Sequence, residues 1–137
     1  EISEFLGRPA HLFLTVKVRP NWLDEAERYT EMGLDFKDGD ADYEAIKQAS
    51  AKVPTIVSIF LDRPAILTGV KDRASVVIGD FGVSDAALLN VLTGKAQAQG
   101  RLPFELPSSM AAVQAQASDN PHDSAAPLYR FGYGLSQ

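Results

Sequence analysis

The residues best suited to chemistry are carboxylic acids, which crowd one polar stretch near the start of the chain. They are Asp24, Glu25, Glu27, Glu31, Asp35, Asp38, Asp40 and Asp42. Two carboxyl groups can share acid–base work, because a protonated one donates a proton while an ionised one acts as nucleophile or base. Cleavage of a glycosidic bond uses such a pair, and Trp22 and Tyr29 lie near enough in sequence to stack on sugar rings. A solvated acidic surface around a helix start explains the same residues, so both interpretations stay open.

Other kinds of chemistry have less support. The sequence contains neither G-x-G-x-x-G after a strand nor G-x-x-x-x-G-K-[ST], the two phosphate-binding patterns, and it has no G-x-S-x-G nucleophile turn. Its two histidines, His11 and His122, are far apart and lack the helical spacing of a metal site. With no cysteine, disulfides and thiolate metal sites are excluded. We therefore expect no metal ion and no cofactor.

Composition limits the possible partners. The 137 residues, 45% of them hydrophobic, suffice for one domain with a buried core. A net charge of −5 argues against a partner with a phosphate backbone, so we expect no nucleic acid. No apolar run approaches the ~18 residues of a membrane-spanning helix, and we expect no membrane partner. The first residues show no signal-peptide pattern, and the compartment stays open.

Alternating strands and helices are the main structural signal. The patterns predict strands over residues 11–18, 53–61 and 74–81, helices over 40–52, 62–70 and 82–94, and a long loop over 19–39. This order predicts an α/β layered sandwich with a mostly parallel sheet flanked by helices, in a flavodoxin-like arrangement. Asp40, Asp62 and Ser84 are the expected N-caps of the three helices, and Pro64 would lie in the first turn of the second.

The pattern changes after Gly100. The stretch LPFEL, residues 102–106, predicts a short strand at a sheet edge, since Pro103 has no amide hydrogen to donate. Glu105 would then point into solvent. Residues 107–137 predict an extended tail packing on a single domain that comprises residues 1–137, with the tail's aromatic side chains folded back onto it.

Several motifs resemble one known family. The stretches PTIVSIFLDRPAIL, VVIGDFGVSDAALLNVLTGKAQAQGRLPFELPSSMAAVQAQ and NPHDSAAPLYRFGYGLS occur in that order between residues 53 and 136. Together they resemble the C-terminal α/β domain of glycoside hydrolase family three, which includes β-glucosidases and β-xylosidases. The resemblance implies the layered fold and a carbohydrate substrate.

The resemblance also implies a partner. In that family a (β/α)8-like barrel precedes this domain and carries the aspartate nucleophile, and nothing in this sequence matches the barrel. The C-terminal domain often supplies the general acid/base, a glutamate on a loop after an early strand. Glu25 and Glu27 are the alternative candidates here, with Glu31 further along, and Trp22 and Arg19 are candidate substrate contacts. Residues 19–21 read Arg-Pro-Asn, where the family more often has Gly-Glu.

The implied reaction is hydrolysis of a terminal β-linked glucose or xylose with retention, through a covalent glycosyl intermediate. Because the nucleophile would come from the barrel, we expect this chain alone to be inactive. The alternative hypothesis is a non-catalytic α/β module that binds carbohydrate or another protein. A flavodoxin-like cofactor domain has no phosphate loop to support it.

Overall fold

The predicted alternation of strands and helices is present in the structure. The computed structural model describes residues 35–61, 63–117, 120 and 122–135, and the backbone of residues 12–18. In chain order the elements are β1 (Leu12–Val18), α1 (Ala41–Ser50), β2 (Thr55–Leu61), α2 (Thr68–Lys71), β3 (Val76–Asp80), α3 (Asp85–Leu92) and α4 (Met110–Ala115). The α/β class expected from the sequence is therefore confirmed.

The described strands form one parallel sheet in the order β1-β2-β3. Seven residue pairs join β1 to β2, from Leu12↔Thr55 to Val18↔Leu61. Five pairs join β2 to β3, from Ile56↔Val76 to Phe60↔Asp80. The central strand β2 is the nearly continuous apolar run of the sequence, as expected for a parallel strand covered on both faces. Three strands do not define a flavodoxin-like order, which stays a prediction.

Helices cover both faces of the sheet. On one face, Val57 and Ile59 of β2 belong to a buried cluster with Ile46 of α1 and Val70 of α2. On the other face, Ile56 and its neighbours pack against Leu92 of α3. Successive side chains of a strand alternate between faces, so a single apolar strand serves both clusters. The sheet is therefore the middle layer of a sandwich.

One predicted helix start is wrong. The second helix begins at Thr68, after Leu67 as its N-cap residue, rather than in the region of Asp62 and Pro64. Residues 65–67 are buried, and Ile66 forms a parallel bridge with Asp35. Those apolar side chains are buried in the core, and Leu67 has a non-helical backbone (φ −102°, ψ 10°), so the helix begins only at Thr68 despite the Pro signal. Asp62 itself lies outside the described residues.

The expected cap at Asp40 is only half right. Asp40 occupies the N-cap position of α1, but its side chain makes no cap bond. Its carboxylate instead accepts a hydrogen bond of 3.0 Å from the amide of Lys37, within the turn that leads into the helix. Ser84 behaves as predicted, because its hydroxyl accepts from the amide of Ala87 at the start of α3. No helix of the described residues has the length and apolarity to cross a membrane.

The predicted edge strand over residues 102–106 has a different partner. Leu102 donates its amide hydrogen to the carbonyl of Tyr133 (2.8 Å), and Leu106 donates to that of Tyr129 (2.9 Å). The bridge between Leu106 and Tyr129 is antiparallel. Among the described residues this stretch therefore pairs with the end of the chain and not with the parallel sheet. Between the two paired stretches lies α4, which the sequence analysis did not predict.

Candidate functional site

The four residues proposed from the sequence, Arg19, Trp22, Glu25 and Glu27, lie outside the described residues, so their placement stays a prediction. The strand that precedes them is described, and it ends at Val18. Because the three strands are parallel, the carboxyl ends of β1, β2 and β3 lie at one edge of the sheet. In open α/β sheets this edge is where ligands usually bind.

Asp80 is the described acid at this edge. It is the last residue of β3, and its Oδ2 accepts a hydrogen bond of 3.2 Å from the hydroxyl of Ser58 on β2. Its Oδ1 accepts one of 3.1 Å from the amide of Gly82. Gly82 has φ +93°, a conformation that glycine adopts without steric cost. Asp80 thus fixes the turn after β3 to the neighbouring strand.

A groove of about 620 Å³ runs beside β3. It is lined by β3 itself, by Ala87, Leu88 and Val91 of α3, and by residues 97–102 and 133–135. Asp80 and Arg101 are the charged residues among those that line it. The described part of the groove therefore offers one carboxylate, where glycoside cleavage needs two.

Aromatic side chains stand around the same region. Phe81, which follows Asp80, is about half exposed and meets Phe104 edge-on with 5.8 Å between ring centroids. Tyr129 and Tyr133 lie 4.7 Å apart, and Tyr133 is 52% exposed. Burial raises the pKa of the Tyr129 phenol, and the neighbouring Tyr133 adds to the effect. Of the tail's aromatic side chains, Tyr129 packs against the core, while Phe131 is 58% exposed.

Glu105 differs from its predicted solvated position. The side chain is half-buried, and its Oε2 atom is buried without a hydrogen-bond partner among the described residues. Leu106 must enter the core and Leu102 must pair with the tail, and these two requirements hold the intervening residues against the domain. The alternation of side chains along the stretch predicted the wrong exposure for Glu105, because the stretch is not a regular strand.

The described end of the acidic stretch is a structural ion cluster. The ammonium of Lys47 on α1 lies 2.8 Å from Oδ1 of Asp38 and 3.0 Å from Oε1 of Glu44. Hydrogen bonds from Lys47 lower the pKa values of both carboxyl groups, and the bond to Asp38 is the main cause of the raised pKa of Lys47. A lowered pKa keeps a carboxyl group ionised at neutral pH, so neither acid suits proton donation.

A second contact anchors α1 to the loop after α2. The guanidinium Nε of Arg73 donates a hydrogen bond of 3.1 Å to the hydroxyl of the buried Tyr43, and this bond raises the pKa of Arg73. In the described part of the chain, no group of three potential metal ligands comes together.

Sequence reasoning missed the role of Ser58, although a signal was present. Ser58 is the one hydroxyl inside the run TIVSIFL other than the residue that opens it. It is fully buried, and a buried hydroxyl needs a hydrogen-bond partner. The partner, Asp80, is 22 positions away, and only the register of β2 on β3 brings the two together.

Comparison with known families decides what kind of domain this is. The family model described as "Glycosyl hydrolase family 3 C-terminal domain" matches residues 10–137. The chain belongs to this family. The family-three motifs of residues 53–136 and the parallel α/β sandwich agree with that membership.

Individual relatives fall into two groups. A periplasmic beta-glucosidase/beta-xylosidase of Dickeya chrysanthemi is 55% identical over 108 residues, covering 79% of this chain and 16% of the relative. Beta-glucosidase C of Emericella nidulans is 46% identical over 85 residues, covering 62% and 14%. A GTPase Era of Dinoroseobacter shibae is 73% identical over 41 residues, covering 30% and 13%. The chain thus spans about one sixth or less of the length of these relatives.

Proposed function

We propose that this chain is the C-terminal domain of a β-glycosidase that hydrolyses terminal β-linked glucose or xylose with retention of configuration. The observation that carries the proposal is the family match over residues 10–137. The names of the Dickeya and Emericella relatives supply the substrate class. The parallel sheet supports the proposal, because ligands of open α/β sheets bind at the carboxyl ends of the strands.

The proposed partner is a catalytic barrel that carries the nucleophile. Retaining cleavage needs a carboxylate nucleophile and a second carboxyl group that first donates and then accepts a proton. Among the described residues that line the groove, Asp80 is the only carboxylate, and its two oxygens already accept hydrogen bonds from Ser58 and Gly82. The chain therefore works by completing an active site whose nucleophile lies in the companion. The assignment of the acid/base to Glu25 or Glu27 stays a prediction of the family resemblance.

A mixing experiment tests this function. The 137-residue chain is combined with the separately purified N-terminal catalytic region of the Dickeya relative, and hydrolysis of 4-nitrophenyl β-glucoside and β-xyloside is followed. We expect no hydrolysis from the chain alone and hydrolysis well above that of the catalytic region alone in the mixture. NMR detection of the β-anomer as first product would establish retention. Hydrolysis by the chain alone, or a mixture no more active than its parts while both are folded, would contradict the proposal.

A non-catalytic carbohydrate-binding module is the second candidate. The exposed rings of Phe131 and Tyr133 favour it, since aromatic faces can stack on sugars. Titration of the chain alone with cellobiose and xylobiose, read by calorimetry, tests it. Saturable binding lost in Tyr133→Ala but kept in Leu89→Ala would support the module, and absence of binding would leave the glycosidase assignment as the sole proposal.

A further inference from the structure

Two unrelated kinds of protein match this chain. The Emericella glycosidase matches 85 of the 137 residues and leaves 52 unmatched. The Dickeya glycosidase matches 108 and leaves 29, so its match includes residues 30–108 wherever it starts. The family-three motifs occupy residues 53–136. The GTPase Era match is shorter, 41 residues, but its identity of 73% is much higher than the 46–55% of the two glycosidases. Because this short match is so strong, the residues that it covers need to be located in the chain.

The position of the GTPase Era match follows by elimination. Between the family-three motifs the longest interruption is residues 68–75, which is far too short for 41 residues. Outside the motifs, only residues 1–52 offer enough length. A continuous stretch of 41 residues within the first 52 must include residues 12–41, wherever it starts. Residues 30–41 also belong to the Dickeya match, so residues 12–29 are the part that the Dickeya match need not include. This range contains β1 and the positions of Glu25 and Glu27.

The overlap with the family model has a physical explanation. The model begins at residue 10, so it also covers β1, the strand LFLTVKV. A strand of apolar and β-branched residues next to a parallel sheet is a general pattern shared by many α/β families. A family model can therefore extend over a strand of different origin, and here it also spans the rest of residues 12–29. In the structure, β1 pairs along all seven of its residues with β2, so the segment is part of the sheet.

We propose that residues 12–29 belong to a GTPase Era-type segment that is joined to a family-three C-terminal domain and contributes β1 to its sheet. We also propose that Glu25 and Glu27 are not the proton donors of glycoside hydrolysis. A glutamate in a segment of this origin derives from a GTPase Era-type sequence and not from a glycosidase. The Arg-Pro-Asn of residues 19–21, where the glycosidase family more often has Gly-Glu, fits this origin. The chain has no G-x-x-x-x-G-K-[ST] loop, the phosphate-binding pattern of many nucleotide sites.

The first test is independent of activity. Long-read sequencing of the source DNA across codons 1–60 shows what precedes residue 1 in frame and whether the junction exists in single molecules. We expect an intact junction preceded by coding sequence related to GTPase Era. Upstream coding sequence of the glycosidase type or of any other kind, or failure to find the junction in single molecules, would overturn the proposal.

The second test concerns the glutamates and rests on the proposed function. Glu25→Gln, Glu27→Gln and the double variant are assayed in the mixture with the Dickeya catalytic region, with Glu44→Gln as a control on the described surface. General acid/base catalysis raises a reaction rate by 10²–10⁴-fold, so loss of the proton donor would lower kcat by a readily measured factor. We expect each variant to keep kcat within tenfold of the wild type and to keep the alkaline limb of the pH profile. A loss of tenfold or more would overturn the exclusion, and rescue by azide would identify the acid/base.

The outcomes of the two tests can be distinguished from each other. If the wild-type mixture shows no hydrolysis, the proposed glycosidase function is wrong, and the sequencing result alone decides the origin of the segment.

Discussion

The hydroxyl of Ser58 donates a hydrogen bond of 3.2 Å to the carboxylate of Asp80 across two neighbouring parallel strands. The pair is diagonal in the ladder, because Ser58 stands opposite Ile78 and Asp80 opposite Phe60. The bond joins the interior of β2 to the turn after β3, which borders the groove. It therefore couples the stability of the sheet to the shape of its carboxyl edge.

The first prediction concerns this pair. Asp80→Ala removes the acceptor and leaves the buried Ser58 hydroxyl without it, a loss that costs about 1–3 kcal/mol. Ser58→Ala removes the donor and costs less, about 0.5–1.5 kcal/mol. Urea unfolding followed by circular dichroism measures both variants and their combination. We expect the double variant to lose less stability than the sum of the single ones. Strict additivity would mean that the two groups do not interact in solution.

Core packing gives the second prediction. Ile59 is fully buried between the sheet and the helices α1 and α2. Ile59→Ala should destabilise the domain by about 2–5 kcal/mol, since the lost contacts leave a cavity. Leu89→Ala is the matched control, because Leu89 is 54% exposed on α3, and it should stay within about 0.5 kcal/mol of the wild type. Equal urea midpoints for the two variants would contradict the described core.

A glycine comparison gives the third prediction. Gly82 has φ +93°, and a Cβ atom there would lie 3.3 Å from Cε2 of Phe60. Gly82→Ala should therefore cost about 1–3 kcal/mol from backbone strain alone. Gly100 has open space around it and no left-handed φ, so Gly100→Ala serves as the control and should be close to neutral. Differential scanning calorimetry compares their melting temperatures, and a Gly82→Ala variant that melts with the wild type would refute the described turn.

The fourth prediction is a pH dependence of the Lys47 cluster. The pKa values of Asp38 and Glu44 are lowered in the fold, so the stability from these ion pairs is present above the ordinary carboxyl pKa. It is lost as pH falls through the lowered values, below about 4. The raised pKa of Lys47 gives the opposite limb, with stability present below its ordinary value and lost at higher pH.

Lys47→Met should remove this dependence. The difference in urea midpoint between wild type and variant should be small, because Asp38 is 81% exposed and Lys47 and Glu44 are in part exposed to solvent, and constant near neutral pH. It should shrink below about pH 4 and again above about pH 10.5. Lys52→Met, a change at an exposed lysine near the end of α1, is the control and should show no such profile. A difference that grows on acidification would contradict the described ion pairs.

Local signals predicted much of the fold. The run TIVSIFL indicated a doubly covered strand, and Ser84 with Asp85 indicated a helix start, because burial pattern and capping depend on neighbouring residues. The delayed start of α2 and the pairing of Leu102 with Tyr133 were not predictable in this way. Both depend on contacts between residues distant in sequence, which no short pattern encodes. Of the candidate site, the sequence did not indicate the bond between Ser58 and Asp80 for the same reason.

The antiparallel pairing of residues 102–106 with 128–133 has a consequence for biosynthesis. Leu106 is buried, yet its amide donates to Tyr129 and its carbonyl accepts from Leu128. Until residues 128–129 have been translated, those backbone groups have no protein partner, and burying them carries a desolvation penalty. The buried cluster that contains Leu106, Val57 and Ile59 is therefore less stable while the nascent chain is shorter than this. Folding of this cluster should therefore be completed only late in translation. Truncated products should expose apolar surface and aggregate.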